Sequence, residues 1–438
     1  MPQATGVQPL GERLKSERGV SLIMVAIAIL VLTGFLVFVL DYGVMWLSRR
    51  QAQNAADAGA LAGAVARAYD ETANPPSAGG MAELSAETVA QATDVFGEPG
   101  GVNVTWDCPA FAAGGRCVRV DVHRDGTAGS TALPTFFAQM FGAASQNVRA
   151  TATAWVQTAN ATNCMRPFAV ADKWDMEPEG VPPAGPGDPV KFDRWVKAGN
   201  SAVELSPRDV YVPVNAGSPG TGYTVAADLG AEVFLKRGNP AQTADDVQPG
   251  WSLPVRLPDG EGGYMSGAAD FKDAIKFCIG NPVRIGDYLP LENGVMQGPT
   301  LQGVQNDGDS LVNQDPNAEW DTATNAVEGS CAPTCAPFSP RIVPIAVFDM
   351  DEFQWRKAQN DWQTEWVAGV GPGGAGTGDV CPGGGGCIRV VNIIGFFVDE
   401  LSGSDVKGRV AMYPGEFITG PPAVNEAAGF LVSIQLIR

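Results

Sequence analysis

One histidine, eight cysteines and a surplus of carboxylates bound the chemistry open to this 438-residue chain. His123 is the lone imidazole, so a His-based triad or a multi-His metal site lacks material. It closes the alternating run Val118–Arg124 and reads as a surface residue at a strand end. Cys331-x3-Cys335 and Cys381-x5-Cys387 offer either four zinc ligands or two disulfides; the spacing of the second pair suits disulfides better. Cys108 and Cys117 flank a predicted hairpin and favour a bridge, which leaves Cys164 and Cys278 for each other among many formal pairings. Asp307, Asp309, Asn313, Asp315 and Asn317 crowd one loop. An EF-hand register from Asp307 puts Leu311 at the fifth position and Ala318 at the twelfth, so calcium ligation gives way to Asx turns. Asp349, Asp351 and Glu352 with Glu416 could form a hydrolytic carboxylate pair if they converged in an apolar-walled cleft. Trp355, Trp362 and Trp366, near Phe353, read as one helix face, a core stripe in preference to a sugar platform. No phosphate loop, dinucleotide fingerprint or G-x-S-x-G elbow is present. The expectation is no enzyme, no cofactor and no metal.

These groups need elements to hold them. Hydrophobic residues make up 45% of the chain, enough for a sizeable core. A net charge of −19 excludes the basic footprint of a nucleic-acid binder. With 54 Gly and 33 Pro, long loops and many turns are expected. The fold class expected is α+β: a small α/β unit over 82–158, then a β-rich, loop-heavy disulfide-bonded domain over 160–438. Within the first unit, helices are predicted from Ser85 to Gly97 and over 133–142, and strands over 102–106, 118–122 and 148–156.

Residues 20–40 carry no charge and, at ~1.5 Å rise per residue, reach roughly 30 Å, the thickness of a bilayer's hydrocarbon core. That is longer than a signal-peptide core, so an uncleaved anchor is expected. Arg13, Lys15 and Arg18 precede it against Arg49 and Arg50 after it. This weakly favours a cytoplasmic tail over 1–19. All eight cysteines follow the span, which places the bulk of the chain in an oxidising periplasmic or extracellular space. The lipid bilayer is the first partner.

The helix should continue beyond the membrane over 41–70. On its surface Ala52, Ala55, Ala56, Gly59 and Gly63 gather on one face, opposite Arg50, Gln53, Asn54 and Asp57. Such a strip lets another backbone come close. It packs either on the chain's own ectodomain or on helices of partner proteins. Asp41, at the membrane edge, reads as an interfacial residue facing water.

The run from Glu17-Arg18-Gly19 through the apolar span, Asp41-Tyr42-Gly43 and 49–64 (RRQAQNAADAGALAGA) resembles the TadG-like N-terminal segment of membrane proteins associated with Flp/Tad pilus assembly. Asp41, Gly43, Gln53, Asn54, Asp57, Leu61 and Gly63 keep the pattern. Ala52 replaces the usual Leu and Gly59 the usual Ala. The von Willebrand metal motif of longer members is missing, and Met24 stands where a processed pilin precursor has Glu. The resemblance implies a structural or assembly role in a Flp/Tad-type pilus or related secretion apparatus, with other pilus-assembly or envelope proteins met through the long helix. The alternative is an anchored extracytoplasmic enzyme or carbohydrate-binding module.

Overall fold

A computed structural model describes residues 10–71, 75–112, 115–127, 129–176, 191–238, 247–332, 334–373, 380–382, 385–418 and 424–437. The chain forms two compact units, Met1–Val156 with Ile434–Arg438, and Gln157–Ser433. The fold is α+β with a β-rich C-terminal part.

In the first unit, α1 (Leu10–Leu36) passes through a π-helical turn at Val37–Asp41 into α2 (Tyr42–Tyr69). No Pro interrupts this run, and helix-forming Ala and Leu dominate its second half. The stretch Val20–Tyr69 contains a window of mean hydropathy 3.1, none of it buried, which is long and apolar enough to cross a membrane. Beyond it, α2 packs on α3 (Met81–Gln91) and on an antiparallel sheet of β1 (Gly101–Thr105), β2 (Arg116–Arg124) and β3 (Val148–Thr158).

The core here is made of small residues. Val118, Val120 and Val122 stand opposite Ala154, Ala152 and Ala150 in the β2–β3 register, and all six are buried. Ala82, Ala86 and Ala90 line the inner side of α3. Ala fixes no rotamer on burial, so close packing is gained at little side-chain entropy.

The helix expected to open at Ser85 begins instead at Met81. The Glu71 carboxylate accepts from Ser77 N (2.6 Å) and Ala82 N (3.1 Å), and Glu83 accepts from Gly79 N (2.8 Å). Ala82 N is one of the donors that the N-terminus of α3 leaves free, and the other two fix the loop that leads into it. The predicted helix over 133–142 is also corrected: Leu133–Pro134 is a short strand and only Ala138–Phe141 makes a 3₁₀ turn.

The second unit is built on strands that close on themselves. The cyclic order is β9 (Cys387–Ser402), β8 (Ile342–Phe348), β4 (Phe168–Ala171), β6 (Trp251–Pro254), β5 (Glu232–Arg237) and β10 (Asp405–Ala411), which pairs again with β9. β7 (Tyr288–Pro290) adds to β9 at Cys387–Arg389. The sixteen-residue β9 makes closure possible, pairing with β8 through Val390–Phe397 and with β10 through Gly395–Ser402. A closed sheet has no edge to attract a foreign strand. Two helices matter below, α4 (Ala268–Lys276) and α5 (Met350–Gln359). Phe192, Phe348, Phe353, Leu253 and Ile393 are among the fully buried core. The last strand, β11 (Leu431–Ile437), passes from this unit to the first.

All four disulfides form: Cys108–Cys117 (Cα–Cα 5.3 Å), Cys164–Cys278 (4.6 Å), Cys331–Cys335 (5.6 Å) and Cys381–Cys387 (5.6 Å). Zinc ligation by the last four is thereby replaced.

Candidate functional site

The small-residue strip and Asp41 both lie on the long N-terminal helix and each meets a different part of the first unit. Ala52, Ala55, Ala56, Gly59 and Gly63 are all buried. A Cβ on Gly59 would lie 2.8 Å from the Ala86 carbonyl oxygen and 2.8 Å from Ala90 Cβ; one on Gly63 would lie 2.8 Å from Val118 Cγ1 and 2.9 Å from Ala86 Cβ. Both glycines are therefore required by the approach of α3 and β2. Of the two occupants the sequence left open for the strip, the chain's own α3 and β2 fill it here.

Asp41 is buried, not facing water as the sequence suggested. Its Oδ1 accepts from Phe136 N (2.8 Å), and Oδ2 from Phe137 N (3.0 Å) and Ala138 N (2.6 Å). Gln146 Nε2 donates to the Asp41 carbonyl oxygen at 3.3 Å. A carboxylate with three backbone donors satisfies N–H groups that would otherwise be buried without partners. That is why 133–142 does not run as one helix. The chain bends so that three successive amides point at the Asp41 side chain, at the end of the π-helical turn that precedes α2.

Other motif residues divide between the two sides of α2. Gln53 Nε2 donates to Asp57 Oδ1 (2.8 Å) and to the Thr151 carbonyl on β3 (3.2 Å). Gly43, Asn54 and Leu61 are exposed. Gln51, which carried no signal in the sequence, accepts from Phe96 N at 2.9 Å. Arg124, equally missed, is buried and donates to Val95 O (2.7 Å) and Glu98 Oε2 (2.8 Å). His123 is corrected from surface to core: it is 8% exposed, with its ring packed over Gly101.

In the second unit each of the four suspected carboxylates is engaged by donors of its own chain. Asp349 caps α5 by accepting from Glu352 N (2.9 Å). Asp351 accepts from Arg194 Nη1 (2.7 Å) and Trp195 Nε1 (2.6 Å), and Glu352 from Arg356 Nε (2.7 Å) and Tyr288 O–H (2.8 Å). Burial first, then the Asp349 charge, pushes both Asp351 and Glu352 up to about 7 in spite of their arginines. Glu416 accepts instead from Asn163 Nδ2 (2.8 Å). The acidic loop is answered by α4: Lys276 Nζ donates to Asp307 (2.6 Å) and Asp309 (2.5 Å). Among the described residues no His/Cys/Asp/Glu group has a metal-binding arrangement.

The tryptophans do not share a helix face, because α5 ends at Gln359 with Asn360 left-handed at φ 55°. They still pack as core. Trp355 lies 5.5 Å from Trp366, and Trp362 lies 6.2 Å from Phe353, ring to ring.

An apolar-walled cleft of about 230 Å³ is lined by Asp172, Trp174, Met176, Tyr223, Asp228 and Phe234, among others. Asp172 accepts from Lys173 N (3.0 Å), Tyr223 N (3.1 Å) and Tyr211 O–H (3.1 Å). Burial, with the Asp349 charge adding to it, raises its carboxyl to about 6. Asp228 takes Lys173 Nζ (2.8 Å) and Thr224 N (2.7 Å). Both carboxylates are occupied by their own chain. This cleft was not legible in the sequence.

The first unit is thus packed on the continuation of a helix long and apolar enough to cross a membrane. Residues 19–66, roughly a tenth of the chain, match the model of a family described as putative Flp pilus-assembly TadE/G-like. No curated protein and no solved structure matches the chain.

Proposed function

We propose that the protein is a single-pass, non-catalytic assembly component of a Flp/Tad-type pilus or related secretion apparatus, with its N-terminus cytoplasmic and its ectodomain outside. The observation that carries this reading is the coincidence of the family match with the structural base. The motif that matches is the one whose Asp41, Gly59 and Gly63 tie the anchor helix to the first unit. Since the small-residue side of α2 is filled, contact with envelope partners falls to the outer side, where Leu47, Asn54, Leu61 and Val65 are exposed. The disulfides support the oxidising side as the location of both units.

The test is removal of the chain from the cell. Surface fibres should be lost and return with the full chain, and protease added to spheroplasts should digest the ectodomain. Fibres that assemble normally without the chain would refute the assembly role.

The cleft at Asp172 favours a second reading, an anchored enzyme or sugar-binding module. It requires Asp172 or Asp228 to exchange a protein donor for a ligand. Tyr223 and Asp228 line both the cleft and that hydrogen-bond set, so a ligand titration that perturbs their amide resonances would support it.

A further inference from the structure

We infer that the loop 136–140 is a second membrane contact, seated at the headgroup–acyl boundary of the bilayer that holds α1. The inference rests on the reading of 20–40 as a membrane span and adds to it a surface that the span alone does not imply.

Three observations converge on the bilayer as occupant. The first is position. Asp41 follows the last apolar residue of the span, Leu40, by a rise of only ~1.5 Å. Helical side chains tilt toward the helix N-terminus, here toward the membrane. The loop backbone is bonded to that carboxylate at 2.6–3.0 Å, so it lies beside the end of the span. The polar boundary zone extends roughly 5–8 Å beyond the hydrocarbon on each side, and the bonded amides fall within it.

The second is chemistry. Phe136 is 50% exposed and Met140 69%, although both belong to a turn otherwise fixed by hydrogen bonds. Large apolar groups held out by an ordered turn suit a bilayer boundary and are poorly placed in water. The third is continuity. Tyr42 and Trp46 are also about half exposed on the first turns of α2, and the Arg50 guanidinium lies 5.0 Å from the Trp46 ring centre. An aromatic belt with nearby arginines is the usual composition of a membrane interface. Loop and helix then form one collar, and two points of contact fix the rotation of α2 about its axis.

Phe111 supplies the control. It is 68% exposed and equally apolar, but lies at the far end of α2, next to Trp155 and the segment where Arg116 reaches the Arg67 carbonyl (3.2 Å). Arg67 is about 40 Å along the helix from Asp41. Spin labels would be placed on Met140→Cys, Phe111→Cys and Ile29→Cys of the full chain in liposomes, with the native disulfides intact. Power saturation with oxygen and with a water-soluble nickel chelate reads depth. The expected result is Ile29 deep in lipid, residue 140 at the boundary with oxygen access severalfold above nickel access, and residue 111 in water. Residue 140 behaving like 111 while Ile29 stays deep would overturn the loop contact alone. Ile29 in water would overturn the anchor and the loop contact with it. A measurement without substitution uses a lipid with a headgroup-proximal diazirine. Cross-links in the peptide around Phe136 support the contact, and their absence while residues near Tyr42 are labelled contradicts it.

Discussion

Asp41 and Asp172 are both buried, and each accepts three hydrogen bonds, but their donors come from different parts of the chain. The donors to Asp41 lie 95 to 97 residues away and none comes from its own helix. Asp172 takes its own neighbour Lys173 and two groups from Tyr211 and Tyr223. Asp41 therefore joins the apolar N-terminal helix to a distant loop. Asp172 sits just past the end of β4 and lines a cleft, and burial raises its carboxyl to about 6. The same residue type is a mechanical link in one unit and a proton-sensitive group in the other. Backbone donors hold the first in place, while burial, with the Asp349 charge adding to it, raises the second.

The largest expected effect breaks the close packing of the first unit. Gly59→Leu pushes a side chain into the Ala86 carbonyl, a backbone atom that cannot swing away. It should cost about 3 kcal/mol and lower the melting temperature of that unit by calorimetry. An unchanged transition would mean that α3 does not approach as described. Next is Asp41→Ala, which leaves three backbone N–H groups without an acceptor. A local loss of about 2–3 kcal/mol should speed hydrogen exchange at Phe136, Phe137 and Ala138 by at least roughly tenfold. Amides in β2, outside this loop, should keep their protection. If all of them open together, Asp41 supports the whole unit and not the loop alone.

The pH response sharpens the contrast. Asp172 has a folded pKa of about 6 against an unfolded value of roughly 3.9, so the native state binds more protons between these values. Its stabilising effect is complete below about pH 4 and is lost as pH rises through about 6. Asp172 should thus add on the order of 1 kcal/mol to the second unit's stability in urea unfolding between pH 8 and pH 5, on top of a gain of the same sign from Asp351 and Glu352, and Asp172→Asn should reduce that slope without abolishing it. A slope of the opposite sign would show that the buried acids are ionised in the native state at neutral pH. The smallest effect belongs to Arg149→Ala. Arg149 is 62% exposed and pairs with Asp121 at 3.0 Å, so its loss should cost about 0.5 kcal/mol.

What could be read in advance followed local periodicity. The span, its continuation to Tyr69, the β2 and β3 strands and the hairpin disulfide are each signalled within a few residues. The faults came from partners distant in sequence. Residues 133–142 look helical until Asp41 takes their amides, and α3 starts early because Glu71 reaches its first turn. Asp349, Asp351 and Glu352 resemble acidic surface because nothing local announces that Arg194, Tyr288 and Arg356 converge on them. Closure of the six-stranded sheet depends on β9 being long enough to pair on both edges, which its composition does not reveal. The small-residue strip was visible, but its occupant was not: alanines and glycines invite any close backbone, and only the fold supplies α3.

That occupant is the central claim and can be measured directly. Ala56→Cys, on the inner side of α2, should resist maleimide at every protein concentration in detergent, while Val65→Cys on the outer side reacts readily. Protection of residue 56 that appears only at concentrations where copies associate would contradict the account and return the strip to a partner helix.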